Sequence, residues 1–409
     1  MQGLILYDDG YEGLAPLTDL RGSFELRTGA LTTSERVADR VGRHADALIV
    51  PAGLAELIAE RHTEPVNRMP GGGFDSYQIV NGRWTGLGDV LPTDLNTAVV
   101  DDEGGLVAAW LDREKAEAFM RSPGVMGEGV ERVVMADSPM ISRPWHVLDR
   151  SDANLLYDMV MLGRRMETLN DEPAPRVTIV GDHPVLIGRD TVVHPHVVFD
   201  TTAGPIAVDN GAEVRSMSVV VGPGYIGAGS VVTNHAHIRG HCIIGPVCKV
   251  GGEVNASVFQ GYANKAHGGY LGDSYVGEWV NLGAATNTSN LKNTYGEVRM
   301  QTRAGAAAEA TGRTNMGSIL GDHVKTAIGT RLMTGACINT GAMLAVAGFP
   351  PKFVDRFAFM TDGGQGGEPE AVTRFDFDKF CGIAETVMER RNLKLTGALR
   401  SRLTELYAM

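Results

Sequence analysis

The sequence predicts two unlike parts: an α/β domain with a mainly parallel sheet, then a parallel β-helix of hexapeptide repeats. Three observations predict it. Glycine is abundant at 52 residues and aromatics are scarce at 6%, a bias toward tight, turn-rich β architecture. Aliphatic residues recur at a strict period of six between residues 208 and 250. Residues 1 to about 140 alternate strand-like and helix-like segments instead, the pattern of an α/β domain. At 409 residues the chain exceeds one ordinary core, so two or three domains are expected.

In the first part, "GLILYD" and "ALIV" read as short buried strands, and "TSERVADRV" and "LAELIAERH" as helices. Thr32 and Glu35 stand at capping-box spacing before the first helix. Strand "YQIVNG", helix "LPTDLNTAV", strand "GLVAAWL" and helix "REKAEAFM" continue the alternation. A helical linker at 141–182 follows Pro144, with Leu148, Leu155, Tyr157 and Met161 as packing positions.

The repeat occupies 183–350. Val208, Val214, Val220, Ile226, Val232, Ile238, Ile244 and Val250 are all β-branched. Four residues after each comes a second register, Ala212, Ser218, Gly224, Ser230, Ala236, Cys242, Cys248 and Val254, small in all but the last. Neither a helical period near 3.6 nor a strand period of 2 explains a six; the hexapeptide repeat of a parallel β-helix does. Cys242 and Cys248 are therefore packing residues. Further copies fall at Ile187, Val193, Val276, Leu282, Leu320, Thr326, Leu332, Ile338 and Leu344.

The rhythm fails near 255–275 and again at 293–318. Loops leaving a rigid solenoid are where function concentrates. The first break carries Lys265, His267 and Tyr270, with Asn281 and Asn290 about one coil on, so a cation, an imidazole, a phenol and two amides are expected on one edge. "GFPPKFV" is expected to end the solenoid, since two prolines cannot continue a ladder. Residues 351–409 form a tail whose stretch 376–406 reads as amphipathic helix, capping the open end or packing on another subunit.

Composition sets limits. The net charge of −12 argues against nucleic acid or an anionic membrane as partner, and any phosphate ligand needs a local cationic pocket. The four cysteines form no CxxC, and zinc spacing is missing. "MQGLILYDDG" lacks a cationic leader pattern and no window spans a membrane, so a reducing cytoplasm is the expected home.

The stretch "KAHGGYLGDSYVGEWVNLGAATNTSN" resembles the acetyltransferase half of the bacterial bifunctional UDP-N-acetylglucosamine pyrophosphorylase / glucosamine-1-phosphate N-acetyltransferase family. His267-Gly-Gly-Tyr270-Leu-Gly-Asp273, then Gly277-Glu-Trp-Val-Asn281-Leu-Gly-Ala-Ala-Thr286, then Asn290, match its motifs without a gap. Ala285 stands where the family has glycine. "NLKN" at 290–293 is similar to the archaeal sugar-1-phosphate branch, and "IGPVCKVGGEV" and "LKNTYGEVRM" to a divergent bacterial branch. The resemblance implies a left-handed β-helix and a homotrimer with sites between subunits. It implies acetyl transfer from acetyl-CoA to an amino-sugar 1-phosphate, with His267 as general base, a task that suits imidazole. Tyr270 and Asn281 would orient the sugar, and Asn290 would hold the amine or the developing oxyanion. Lys249, Lys265 and Lys292 are candidates for the sugar phosphate.

The N-terminal part is similar to sugar nucleotidyltransferases, a Rossmann-like fold that opens with a strand, a Gly-x-Gly-Thr-Arg loop, Pro-Leu-Thr and Arg-Pro-Lys. This chain keeps the strand, Pro16-Leu17-Thr18 and Arg21, but has Asp8-Asp9-Gly10-Tyr11-Glu12-Gly13 for the loop and Ser23 for the lysine. Three carboxylates would repel a triphosphate unless a metal such as Mg²⁺ intervened. Arg21 and Arg27 either bind phosphate or make ion pairs between domains. Asp89 is a metal ligand or a turn residue. Three readings follow: an acetyltransferase with a degenerate nucleotidyltransferase domain, a fully bifunctional enzyme, or a sugar-nucleotide sensor without catalysis.

Overall fold

The computed structural model describes residues 1–170, 176–362 and 371–409. The N-terminal domain contains β1 (Gln2–Tyr7), α1 (Thr33–Val41), β2 (Ala47–Ile49), α2 (Ala52–Arg61), β3 (Ser76–Asn81), β4 (Thr97–Val100), β5 (Leu106–Asp112), α3 (Arg113–Arg121) and β6 (Glu131–Val134). Its sheet runs β2-β1-β3-β5-β4-β6. β1 is parallel to β2 and β3, and β4 to β6, whereas β5 is antiparallel to both neighbours. The capping box forms: Glu35 N–H donates to Thr32 Oγ1 and Thr32 N–H to Glu35 Oε2. The helix expected over 91–99 does not form. Asn96 takes φ +62°, which ends any helical run, and Thr97, Val99 and Val100 enter the sheet as β-branched residues prefer.

The solenoid has three faces. The first is a ladder of ten strands that includes Ile206–Val208, Gly224–Ile226 and Cys242–Ile244. The second holds Glu213–Val214, Val231–Val232, Lys249–Val250 and Asn264–Lys265. The third holds Val219–Val221, His237–Ile238, Glu253–Asn255 and Tyr270–Gly272. All eight β-branched residues of the unbroken repeat are at most 1% exposed and lie in one core. Each contributes about 1.5–3 kcal/mol by burial. Cys242 and Cys248 sit in that core as expected, and burial pushes both thiols up to about 12.

Coil length explains the broken rhythm. On the first face Ile206, Gly224 and Cys242 are partners 18 residues apart. Ile243 then pairs with Val258 after 15, Val258 with Tyr275 after 17, and Tyr275 with Ile319 after 44. The solenoid thus continues through two shortened coils, and the last step accommodates an excursion with the hairpin Arg299–Met300 and Glu309–Ala310.

Two boundaries differ from expectation. The linker helix α4 (His146–Gly163) stops early, Glu167–Thr168 pairs with Leu186–Ile187, and Thr178–Val180 already joins the third face. Residues 171–175 of the expected linker lie outside the described residues. At the far end, Pro350 and Pro351 fall between rungs, so Phe353–Val354 and Ala358–Thr361 resume the ladder. The tail comprises α5 (Phe377–Glu389) and α6 (Gly397–Ala408). Arg402 Nε donates to Asp19 O at 2.9 Å, and Leu399, Leu403 and Leu406 join the N-terminal core with Leu54, Leu57 and Ile58. The tail therefore ties the solenoid to the first domain.

The outward residues of the first face, Ala207, Tyr225, Ile243, Val258, Tyr275, Ile319 and Cys337, are buried under Leu14, Leu17, Leu26 and α4. The two domains are packed along this whole face. Among the described residues no helix is long and apolar enough to cross a membrane.

Candidate active site

The turn at 266–269 joins the second and third faces and carries His267, which is exposed at that corner. Tyr270 follows on the third face, where its N–H donates to Asn287 Oδ1 at 2.8 Å. Asp273 lies at the next corner with φ +46°, a left-handed backbone that aspartate tolerates better than most residues. Its side chain is 7% exposed. Asn290 Nδ2 donates to Asp273 Oδ2 at 2.6 Å, and Arg313 stands 3.6 Å from Asp273 Oδ1 while donating to Asp149 Oδ1 of α4 at 2.7 Å. Burial raises the Asp273 carboxyl, an effect opposed by Asn290 and Arg313. Burial and then Asp273 raise the Tyr270 phenol, and Asn290 beside it works the other way.

Tyr270 and Asn290 are thus brought together, with Asp273 as the residue between them. Asn281 is not part of that group. It lies on the second face between Asn264 and Lys325, accepting from Asn264 Nδ2 at 2.7 Å. The expected convergence of all candidates on one edge is corrected: Asn281 stands six residues before Asn287 in the same coil, which is the step from the second face to the third. His267 sits at the corner between the two groups. Lys325 is a cation the sequence reading missed; it follows Asn281 on the second face, and burial lowers its ammonium to about 8. Ala285 takes φ +59°, so it adopts the left-handed backbone glycine favours, at a cost of roughly 1–2 kcal/mol.

The lysines divide. Lys249 lies half-buried on the second face. Lys292 Nζ binds the Glu297 carbonyl. Lys265 is the correction: it is 2% exposed, occupies an inward position level with Val250, and cannot meet a sugar phosphate.

In the N-terminal domain both arginines make contacts across the domain boundary, one of the two readings left open for them. Arg21 is 1% exposed and donates to Asp322 Oδ1 at 2.9 Å and Leu17 O at 2.9 Å, with Glu278 at 3.3 Å. Arg27 Nε donates to Gln260 O and its backbone N–H to Gln260 Oε1. Both hold the domains together, because a buried guanidinium needs such partners. Asp89 is fully exposed and pairs with Arg40 at 2.6 Å. Among the described residues no three His, Cys, Asp or Glu side chains are grouped to hold a metal.

The loop after β1 has its own internal anion. Asp8 Oδ1 accepts from Gly10 N–H and Oδ2 from Ser23 N–H, each at 3.0 Å. Glu25 accepts from Gly22 N–H at 2.8 Å. Asp9 is clamped by Arg83 at 2.6 Å and 2.9 Å. Burial lifts the Asp8 carboxyl to about 6. Backbone amides of the kind that cradle phosphates are thus taken by the chain's own carboxylates. Beside them a cavity of about 610 Å³ is lined by Asp8, Glu12, Asp19, Arg303, Arg356 and Arg374, among others.

Comparison with known proteins places both parts of the chain beside described relatives. Residues 4–166 match the sugar nucleotidyl transferase family. The bifunctional protein GlmU of Synechococcus elongatus is 30% identical over 254 residues, 58% of this chain and 52% of the relative. GlmU of Jannaschia sp. is 39% identical over 124 residues, 30% of this chain and 26% of the relative. The bifunctional sugar-1-phosphate nucleotidylyltransferase/acetyltransferase of Sulfurisphaera tokodaii is 31% identical over 155 residues, 37% of each. The matches thus span about half or less of these relatives' own length. Among solved structures, the polySia specific acetyltransferase NeuO aligns with 49% of this chain and 88% of its own at 8% identity and a TM-score of 0.28; at that score the likeness adds nothing to the solenoid read from its own ladders. The chain is thus similar to bifunctional GlmU proteins over about half or less of their length, with residues 4–166 matching the sugar nucleotidyl transferase family and a parallel β-solenoid following them.

Proposed function

We propose that the protein transfers an acetyl group from acetyl-CoA to the amine of an amino-sugar 1-phosphate, and that its N-terminal domain transfers nucleotides poorly or not at all. The observation that carries the first part is the grouping of Tyr270, Asp273 and Asn290 one strand away from an exposed His267. His267 takes a proton from the amine as nitrogen attacks the thioester carbonyl. The C–N bond forms, the C–S bond breaks, and the imidazolium returns the proton to the departing thiolate. With one Nδ2 hydrogen given to Asp273, Asn290 keeps its carbonyl as an acceptor for the amine N–H and a second N–H as a donor for a developing oxyanion.

Asn281 fits this reading in an assembly. A homotrimer would lay the second face of one subunit, with Asn281, Lys249 and Lys325, against the His267 corner of the next. Light scattering on full-length protein at micromolar concentration is expected to give three times 43.7 kDa; a monomer mass would leave the site without Asn281.

The second part rests on Asp8. Nucleotidyl transfer depends on positioning and charge stabilisation by amides, cations and Mg²⁺, and here Asp8 and Glu25 occupy the amides of Gly10, Ser23 and Gly22. Pyrophosphate release from UTP and other NTPs, with a panel of sugar 1-phosphates and Mg²⁺, should stay far below about 1 s⁻¹. The match of residues 4–166 to the sugar nucleotidyl transferase family favours the bifunctional alternative, which turnover above that rate would establish.

A further inference from the structure

We propose that Lys265 is a positioning residue: from inside the solenoid its ammonium holds the turn that carries His267, by binding carbonyl oxygens on both sides of a notch left by a shortened coil. The notch is visible in the register. From the second face to the third, the neighbouring coils take six residues: Val231 to His237 and Asn264 to Tyr270, with Asn281 to Asn287 beyond. The coil between them takes four, Lys249 to Glu253. Two residues are missing directly beneath the 266–269 turn.

The glycines there show how tight the junction is. A Cβ on Gly251 would lie 2.6 Å from Ala266 O, and one on Gly252 2.9 Å from both His267 O and Gly269 O. The missing residues take their backbone N–H groups with them, so donors are short where the carbonyls converge: Gly269 O receives only a long bond from Glu253 N–H, at 3.3 Å, from the shortened coil. Lys265 supplies those donors. At a position where the neighbouring rungs place Val250 and Leu282, its Nζ donates to Gly251 O at 2.8 Å, His267 O at 2.9 Å and Gly269 O at 2.8 Å. One ammonium thereby satisfies all three of its N–H bonds and ties the short coil to both flanks of His267. Among the described residues no carboxylate hydrogen-bonds it, so there its cost of burial is offset by carbonyl dipoles. Such a cost is retained where it fixes one geometry. The catalytic consequence rests on His267 being the base.

The test uses the full-length protein and two variants, Lys265→Met and Lys249→Met. Amide hydrogen exchange at Ala285 and Glu253, whose N–H groups donate to Gly268 O and Gly269 O, should quicken at least tenfold in Lys265→Met. Gly227, which donates to Ile244 O two coils away, should be unchanged. Acetyl transfer to glucosamine 1-phosphate should lose about 10²-fold in kcat with both KM values within threefold, while Lys249→Met keeps its exchange pattern. In the unaltered protein, reductive methylation read by mass spectrometry should label Lys249 and spare Lys265; this arm decides the matter even where Lys265→Met fails to fold. Labelling of Lys265 at the rate of Lys249, or unchanged exchange in Lys265→Met, overturns the brace. Faster exchange with kcat within threefold overturns the positioning role. If the unaltered protein transfers no acetyl group, the proposed reaction fails while exchange and labelling still judge the brace.

Discussion

Arg21 offers the sharpest contrast between a ligand-binding residue and a structural one. Its side chain is 2% exposed, against 0% for Asp322 and 22% for Glu278. Substituting Arg21→Met keeps the length of the stem and removes the charge. Asp322 then stays buried with only the Glu278 N–H, at 2.7 Å, on Oδ1 and no partner on Oδ2. Removing one partner of a buried pair costs about 3–5 kcal/mol, because the other charge is stranded. At about 2–4 °C per kcal/mol for domains of 150–250 residues, the first thermal transition should fall by roughly 6–20 °C. The double variant Arg21→Met/Asp322→Leu should regain most of that loss, since replacing both partners by apolar groups is often close to neutral. The assay is differential scanning calorimetry with and without UTP or a sugar 1-phosphate. A transition within 1 °C of the parent, together with weakened nucleotide binding, would refute the reasoning and return Arg21 to the ligand.

Asp8 predicts a pH signature. Its folded carboxyl is lifted to about 6 from an ordinary 3.8, so the folded state holds the proton more tightly. That contribution is complete below about pH 4 and is lost as pH rises through 6, by roughly 3 kcal/mol. Urea unfolding of the parent and Asp8→Asn should show their stability difference shifting by that order between pH 4 and 7, in favour of the variant; a constant difference would contradict the burial of a carboxylate there. Asp273→Asn should lower kcat for acetyl transfer about tenfold or more while far-UV dichroism is kept, because one acceptor oxygen must then serve both Asn290 and Arg313, and turning it to Arg313 sets an NH2 against the Asn290 amide; an unchanged kcat would separate Asp273 from the site.

The repeat was legible because each inward residue, from Val208 to Val250, meets the same environment in the next coil. What the period could not reveal was coil length. A coil two residues short appears in sequence only as a lost rhythm, so Lys265 read as a loop cation when it is the inward residue of its rung. Arg21 and Arg27 were legible as conspicuous charges, but their partners, Asp322 and Gln260, lie 301 and 233 residues away, and no local pattern links them. The prolines at 350 and 351 signal a stop in sequence because a proline removes a ladder hydrogen bond; in the fold they stand between rungs, where no such bond is required. Asp273 was in the quoted motif, yet its role depends on Asn290 and on Arg313 from the excursion, which only the fold brings together.

The most direct test of the central claim is thiol release from acetyl-CoA by the full-length protein with glucosamine 1-phosphate, compared with its His267→Ala variant. The account predicts acceptor-dependent release by the parent at about 1 s⁻¹ or more, the range of working enzymes. It predicts a loss of about 10²–10⁴ in the variant with the same mass by light scattering. No acceptor-dependent release at millimolar concentrations of both substrates would contradict the acetyltransferase reading, and variant turnover within tenfold of the parent would remove His267 from the role of base.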